Sequence, residues 1–210
     1  MDKKTLAIAA ALLLAAFYFL AGGSINDWPI TNDPPRGGTR VIALGDSLTR
    51  MPKELGLKTY PDFLAEMIGK EIENAGVPGN TTEDALRRVE RDVLQRDPRV
   101  VLVLLGGNDY LRRQPIESIV DNLRRIIRLA QDRGALVVLV ALEGPALLGA
   151  TGQDEFRALA QETGAVLVPD ILDGILSDPS LRFDAIHPNE KGARIMAERI
   201  NEVAGEYLRR

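Results

Sequence analysis

The sequence predicts an α/β protein, a three-layer α/β/α sandwich on a five-stranded parallel sheet. Three observations carry this. Short apolar runs alternate with stretches of helical period beyond Gly38, and the connections between them are mostly too long for hairpins. One run, Val100-Val101-Leu102-Val103-Leu104-Leu105, is apolar on both faces, as a central parallel strand must be. The 210 residues show no internal repeat and suit a leader followed by a single domain large enough to bury a full core.

The first strand is Val41-Ile42-Ala43-Leu44, stopped by Gly45-Asp46-Ser47. Pro61 opens a helix with Phe63, Leu64, Met67 and Ile68 on one face, and a short strand at 72–75 leads into the loop Gly76-Val77-Pro78-Gly79-Asn80. Thr81 or Thr82 caps the next helix, which points Ala85, Leu86, Val89 and Val93 inward and has Pro98 as its stop. The central strand ends in a polar turn, Gly106-Gly107-Asn108-Asp109. Pro115 starts a helix in which Ile116, Ile119, Val120, Leu123, Ile126 and Ile127 keep the 3.6 period until Gly134. A strand at 136–142, a loop at 143–152, a helix at 154–163 and a strand at 165–168 follow. Asp184-Ala185-Ile186-His187-Pro188 sits on a loop, Pro188 starting a last helix that buries Met196, Ile200, Val203 and Tyr207.

Ahead of the domain, Lys3 and Lys4 precede an uncharged stretch, 5–23, rich in Leu, Ala and Phe. As a helix it is about 28 Å long, enough to span a bilayer, and Ala21-Gly22-Gly23 offers small residues for cleavage. Residues 1–23 therefore read as a signal peptide or an N-terminal membrane anchor, and 24–38 as a polar, Pro-rich linker. Both readings of the leader put the domain outside the cytoplasmic membrane, periplasmic or secreted, with membrane contact through the apolar segment. Trp28 reads as a linker aromatic, the other reading being a place at the membrane surface.

Composition narrows the chemistry. A formal charge of -4 with no basic cluster excludes nucleic acid as the main partner. The absence of cysteine excludes disulfides, thiolate metal sites and a cysteine nucleophile. A single histidine excludes a multi-histidine metal site and gives any imidazole chemistry one address, His187.

Three polar clusters, at 45–47, 76–80 and 106–109, follow strands, and a parallel sheet lines such clusters up along one edge. The loop with Asp184 and His187 reaches the same edge if its helix packs back on the sheet. A serine needs a base, and the base needs an acceptor on its other nitrogen. Ser47, His187 and Asp184 fill those roles, with Asp184 three residues from the histidine on a tight turn. An oxyanion needs donors aimed at one point. The backbone N–H groups of Ser47 and Gly79 and the side-chain amide of Asn108 are the available set. Taken singly, each cluster is also an ordinary turn, and Asp46 and Asp109 read as supporting turn residues.

Together the four blocks resemble the GDSL or SGNH hydrolases, whose four named residues match Ser47, Gly79, Asn108 and His187 in order. The resemblance runs from about Arg40 to Leu208 and is nearest to the bacterial arylesterase, acyl-thioesterase I and lysophospholipase L1 group. Leu102-Val103-Leu104-Leu105-Gly106-Gly107-Asn108-Asp109-Tyr110-Leu111-Arg112 and Thr59-Tyr60-Pro61 carry that finer likeness. It implies a flavodoxin-like SGNH-hydrolase domain over 39–210, no cofactor and no metal. It also implies hydrolysis of a small acyl ester, thioester or lysolipid through an acyl-enzyme. The alternative substrate is an O-acetyl group on envelope polysaccharide; a catalytically silent binding module would have lost a block, and none is lost. Two places depart from the group: Arg50-Met51-Pro52 after the first block, and the apolar loop holding Leu147 and Leu148, which carries Glu143. With Tyr110, the residues Arg50, Met51, Leu147 and Leu148 are the expected substrate contacts.

Overall fold

The computed structural model describes residues 25–142 and 152–210. Its sheet is parallel throughout and holds β1 (Arg40–Gly45), β2 (Ile72–Gly76), β3 (Pro98–Leu104), β4 (Leu136–Val140) and β5 (Val166–Val168) in the order β2-β1-β3-β4-β5. The helices are α1 (Tyr60–Ile68), α2 (Thr82–Asp92), α3 (Gly107–Leu111), α4 (Ile116–Asp132), α5 (Gly152–Thr163) and α6 (Glu190–Arg209). From Val100 to Leu105 every residue is fully buried, which is why that run carries no polar alternation. The chain reverses strand order between β1 and β3, and the loops leaving the carboxyl ends of those strands meet at this switch point.

Helical periods translate into burial. In α4, Ile119, Leu123, Ile126 and Ile127 are buried and Ile116 and Val120 pack partly against the core. In α2, Thr81 caps the start: the Asp84 N–H donates to Thr81 Oγ1 (3.2 Å), and the Thr81 N–H donates to Asp84 Oδ2 (3.1 Å).

Three expectations need correction. Pro98 does not stop α2, which ends at Asp92; a 3₁₀ turn, Leu94–Arg96, and a left-handed Asp97 (φ 56°) intervene, and Pro98 opens β3 instead. A strand's first residue tolerates a missing N–H as well as a helix terminus does. The turn at 106–109 continues into the short helix α3. Pro188 does not start α6: it forms an antiparallel bridge with Arg182, and Asn189 is the cap, accepting from the N–H groups of Lys191 (2.9 Å) and Gly192 (3.2 Å).

The leader, 1–23, and the loop with Leu147 and Leu148 lie outside the described residues. The segment expected as a linker is packed against the domain over its described length. Trp28 is only 8 % exposed, its indole Nε1–H donating to the Ala165 carbonyl (3.0 Å), so it faces the core rather than a membrane. The Asn26 side chain pairs both ways with the Leu167 backbone (2.7 and 3.3 Å), and Asn32 Nδ2 donates to the carbonyls of Gln131 and Ala135 (both 2.9 Å). Among the described residues no helix is long and apolar enough to cross a membrane.

Candidate active site

β1 delivers Ser47 to the edge of the sheet. Beyond Gly45 the backbone folds into a tight turn in which Asp46 O accepts from the N–H groups of Thr49 (3.2 Å) and Arg50 (3.0 Å), and Asp46 Oδ1 accepts from Leu48 N–H (3.0 Å). Glycine is required at 45 because a Cβ there would lie 1.9 Å from Thr49 Oγ1. The far side of the turn is tied down at the Thr49 carbonyl, which accepts from Asn74 Nδ2 (2.7 Å) and Thr59 Oγ1 (2.8 Å).

His187 arrives from the loop before α6. The Arg182–Pro188 bridge, the Phe183 N–H donating to the His187 carbonyl (2.8 Å) and the Asn189 cap together hold this loop. Gly192, in the first turn of α6, lets the helix sit under it: a Cβ there would lie 2.3 Å from the Leu181 carbonyl oxygen.

The two parts meet with Ser47 Oγ 2.9 Å from His187 Nε2, and His187 Nδ1 2.8 Å from Asp184 Oδ2 and 3.0 Å from Oδ1. Asp184 also accepts from the backbone N–H groups of Ile186 and His187 (both 2.9 Å). Burial works against its charge, yet the Ile186 and His187 hydrogen bonds outweigh that and hold its carboxyl below the usual range. An ionised Asp184 fixes the proton on Nδ1 and leaves the Nε2 lone pair facing the serine hydroxyl.

Asn108, in the first turn of α3, lies across from Ser47. Its Nδ2 donates to Asp46 Oδ2 and to the Asn80 carbonyl, both at 3.0 Å, so both amide hydrogens are engaged within the protein. Asp46 is 2 % exposed, and burial, only partly offset by the Leu48 and Asn108 bonds, pushes its carboxyl up to about 6. Gly79 stands on an exposed loop at φ 78°, with open space where a Cβ would be. Asp109 points away from the serine and accepts from Thr82 Oγ1 (2.6 Å) and N–H (2.9 Å).

Around the serine–histidine bond, Leu111, Leu142, Leu172 and Ile186 form an apolar wall with Gly107 and Asn108. On its other side, Met51, Leu57, Thr59 and Pro188 close a narrower hollow. Of the expected substrate contacts, Met51 is thus beside the histidine. Arg50 is turned away: its guanidinium donates to the Asn74 carbonyl, and its Cβ fills the space that a side chain at Gly76 would need. Tyr110 is 41 % exposed and lies outside the cleft wall, where its neighbour Leu111 takes the place expected of it.

A matching family model decides the kinship: that of the GDSL-like lipase/acylhydrolase family spans residues 43–195. The chain belongs to this family. It is 30% identical over 182 residues to an arylesterase of Vibrio mimicus, covering 80% of this chain and 90% of that one. It is 29% identical over 165 residues to thioesterase 1/protease 1/lysophospholipase L1 of Escherichia coli, covering 75% and 79%. Among solved structures, the SGNH-hydrolase family esterase AlinE4 superposes with a TM-score of 0.60 at 32% identity, covering 82% of this chain and 98% of that one. As a GDSL-family member the protein is a carboxylic ester hydrolase.

A polar residue that braces this GDSL-family site also had no signal in the sequence. Arg88, in the middle of α2, is 10% exposed in its side chain. It donates to the carbonyls of Gly45 (3.0 Å) and Ala75 (2.8 Å), to Asn80 Oδ1 (2.6 Å) and to Asp92 Oδ2 (3.1 Å). One guanidinium therefore braces the ends of β1 and β2 and the loop after Gly79, which a lysine's single ammonium cannot do. Its helix reads as merely amphipathic, so only the fold reveals this. Among the described residues no group of three or more His, Asp or Glu side chains is placed to hold a metal ion.

Proposed function

We propose that the protein hydrolyses carboxylic esters or thioesters, arylesters and lysolipids among them, by a serine acyl-enzyme route outside the cytoplasmic membrane. The observation that carries this reading is the continuous chain from Ser47 Oγ through His187 to Asp184, with every link at 2.8 to 3.0 Å. Ser47 Oγ attacks the carbonyl carbon while its proton passes to His187 Nε2, and Asp184 remains ionised and stabilises the imidazolium. The tetrahedral intermediate collapses as Nε2–H protonates the departing alkoxide or thiolate, leaving Ser47 acylated. A water molecule, deprotonated by His187, then attacks the acyl-enzyme, and Nε2–H returns the proton to Ser47 Oγ as the carboxylic acid leaves.

Ser47 N–H, Gly79 N–H and the Asn108 amide are the donors we assign to the oxyanion. Asn108 must share an N–H that Asp46 or Asn80 already accepts, so its contribution is a three-centre bond formed as charge develops. The apolar wall of Leu111, Leu142, Leu172 and Ile186 supports an acyl chain as the bound group.

Turnover of p-nitrophenyl butyrate tests the reading. Ser47→Ala and His187→Ala are each expected to lose at least about ten-thousandfold in kcat with unchanged circular dichroism. Wild-type-like turnover by either variant overturns it. Rates on acyl thioesters, lysophospholipid and acetylated xylooligosaccharide then rank the substrate classes.

A further inference from the structure

Among the described residues seven large apolar side chains are exposed, and six of them, Leu55, Val77, Tyr110, Leu111, Phe183 and Ile186, are on loops or short helices that follow the carboxyl ends of the strands. Leu111 and Ile186 belong to the cleft wall, and Phe183 is held beside His187 by its own N–H. Exposed apolar groups confined to one rim mark a contact surface. We propose that this rim docks on the surface of an anionic phospholipid bilayer, so that Ser47 faces the lipid from which its ester is taken. The substrate part of this inference rests on the proposed reaction; the contact itself does not.

Two further observations select a bilayer as the occupant. In two of the rim's segments cations stand beside the apolar groups, Arg112 and Arg113 after Tyr110-Leu111 and Arg182 before Phe183, an arrangement that suits an anionic headgroup layer. The second is the direction of the segment before β1. Thr31 bonds at Thr163 and Gly164, Trp28 at Ala165 and Asn26 at Leu167, so in the direction of its amino end this segment climbs β5 toward the catalytic edge. At its upper end the Ile25 carbonyl accepts from Arg157, in the first half of α5. The described chain therefore begins, at Ile25, on the same side as the rim, and the uncharged stretch at 5–23 precedes that point in the sequence.

The test uses the full chain reconstituted in phosphatidylcholine vesicles containing phosphatidylglycerol. In Phe183→Trp, brominated lipid is expected to quench emission at least twofold more than in the wild type, whose Trp28 is buried and serves as baseline. No added quenching overturns the contact, whether solvent or the chain's own leader covers the rim. In Phe183→Ser/Arg113→Glu, hydrolysis of a long-chain ester in the vesicles is expected to fall at least fivefold, with p-nitrophenyl acetate in water hydrolysed within twofold of wild type. Equal retention of both activities overturns the role of the rim, as does a dimer that Phe183→Ser converts to a monomer. A wild type inactive on p-nitrophenyl acetate sinks the proposed reaction instead, and the quenching still reads the contact.

Discussion

Two aspartates border the proposed reacting groups, Asp184 bonded to His187 and Asp46 next to Ser47 and bonded to Asn108, and they are treated in opposite ways. Asp184 lies on a loop with 45% of its side chain exposed, collects donors from His187 and Ile186, and is held ionised. Asp46 lies at the tip of β1, buried, with donors from Leu48 and Asn108 but no cation bonded to it among the described residues, and its carboxyl rises to about 6. The difference suits the two tasks we propose for them. An orienting acceptor for imidazole must keep its charge, so it is left near water and surrounded by N–H groups. A residue that shapes the nucleophile's turn and fixes Asn108 needs only its lone pairs, which both protonation states supply.

The largest effect that probes this contrast is expected from Asp184→Asn. The amide presents a neutral, ambiguous partner to Nδ1 and permits the wrong tautomer, so kcat should fall about a hundred- to ten-thousandfold with little change in stability. Steady-state kinetics at pH 8 check it; a loss below threefold would remove Asp184 from the relay.

Asp46→Asn should show itself mainly in stability. An acid with a raised folded pKa contributes stability that is fully present below its unfolded value near 3.8 and is lost as pH rises through about 6. The two-unit shift corresponds to about 3 kcal/mol across that window. Urea unfolding of wild type and Asp46→Asn from pH 4 to 7.5 should give a free-energy difference that drifts toward the variant as pH rises. A constant difference contradicts the assignment. Asp184 has the opposite sign: its depressed value gives stability present above about 3.8 and lost as pH falls through the folded pKa.

The sheet was legible because parallel strands buried on both faces must be continuous apolar runs, and Val100 to Leu105 left no other reading. The residues we propose for the reaction could be picked out for a different reason: serine, histidine and aspartate have few roles, and with one histidine in the chain the proposed base has no competitor. What was not legible depends on tertiary contact. Leu111, Ile186 and Leu172 are ordinary apolar residues until the loops bring them to Ser47. Arg50 looked like a substrate contact from its position, yet the missing side chain at Gly76 gives it a place against β2. Trp28 looked like linker because local sequence does not reveal that Ala165, 137 residues later, offers its carbonyl. Pro98 misled through a true rule applied to the wrong element, since a proline ends helices and begins strands equally well.

The central claim is that Ser47, activated by His187, carries the acyl group. Rapid-quench mixing with p-nitrophenyl butyrate, followed by peptide mass measurement, tests it most directly. The account predicts a burst of nitrophenol equal to the enzyme concentration and a butyryl group on the peptide containing Ser47, both lost in His187→Ala. Full turnover with no adduct on that peptide under conditions where deacylation is slowed, or an adduct on another residue, would contradict it.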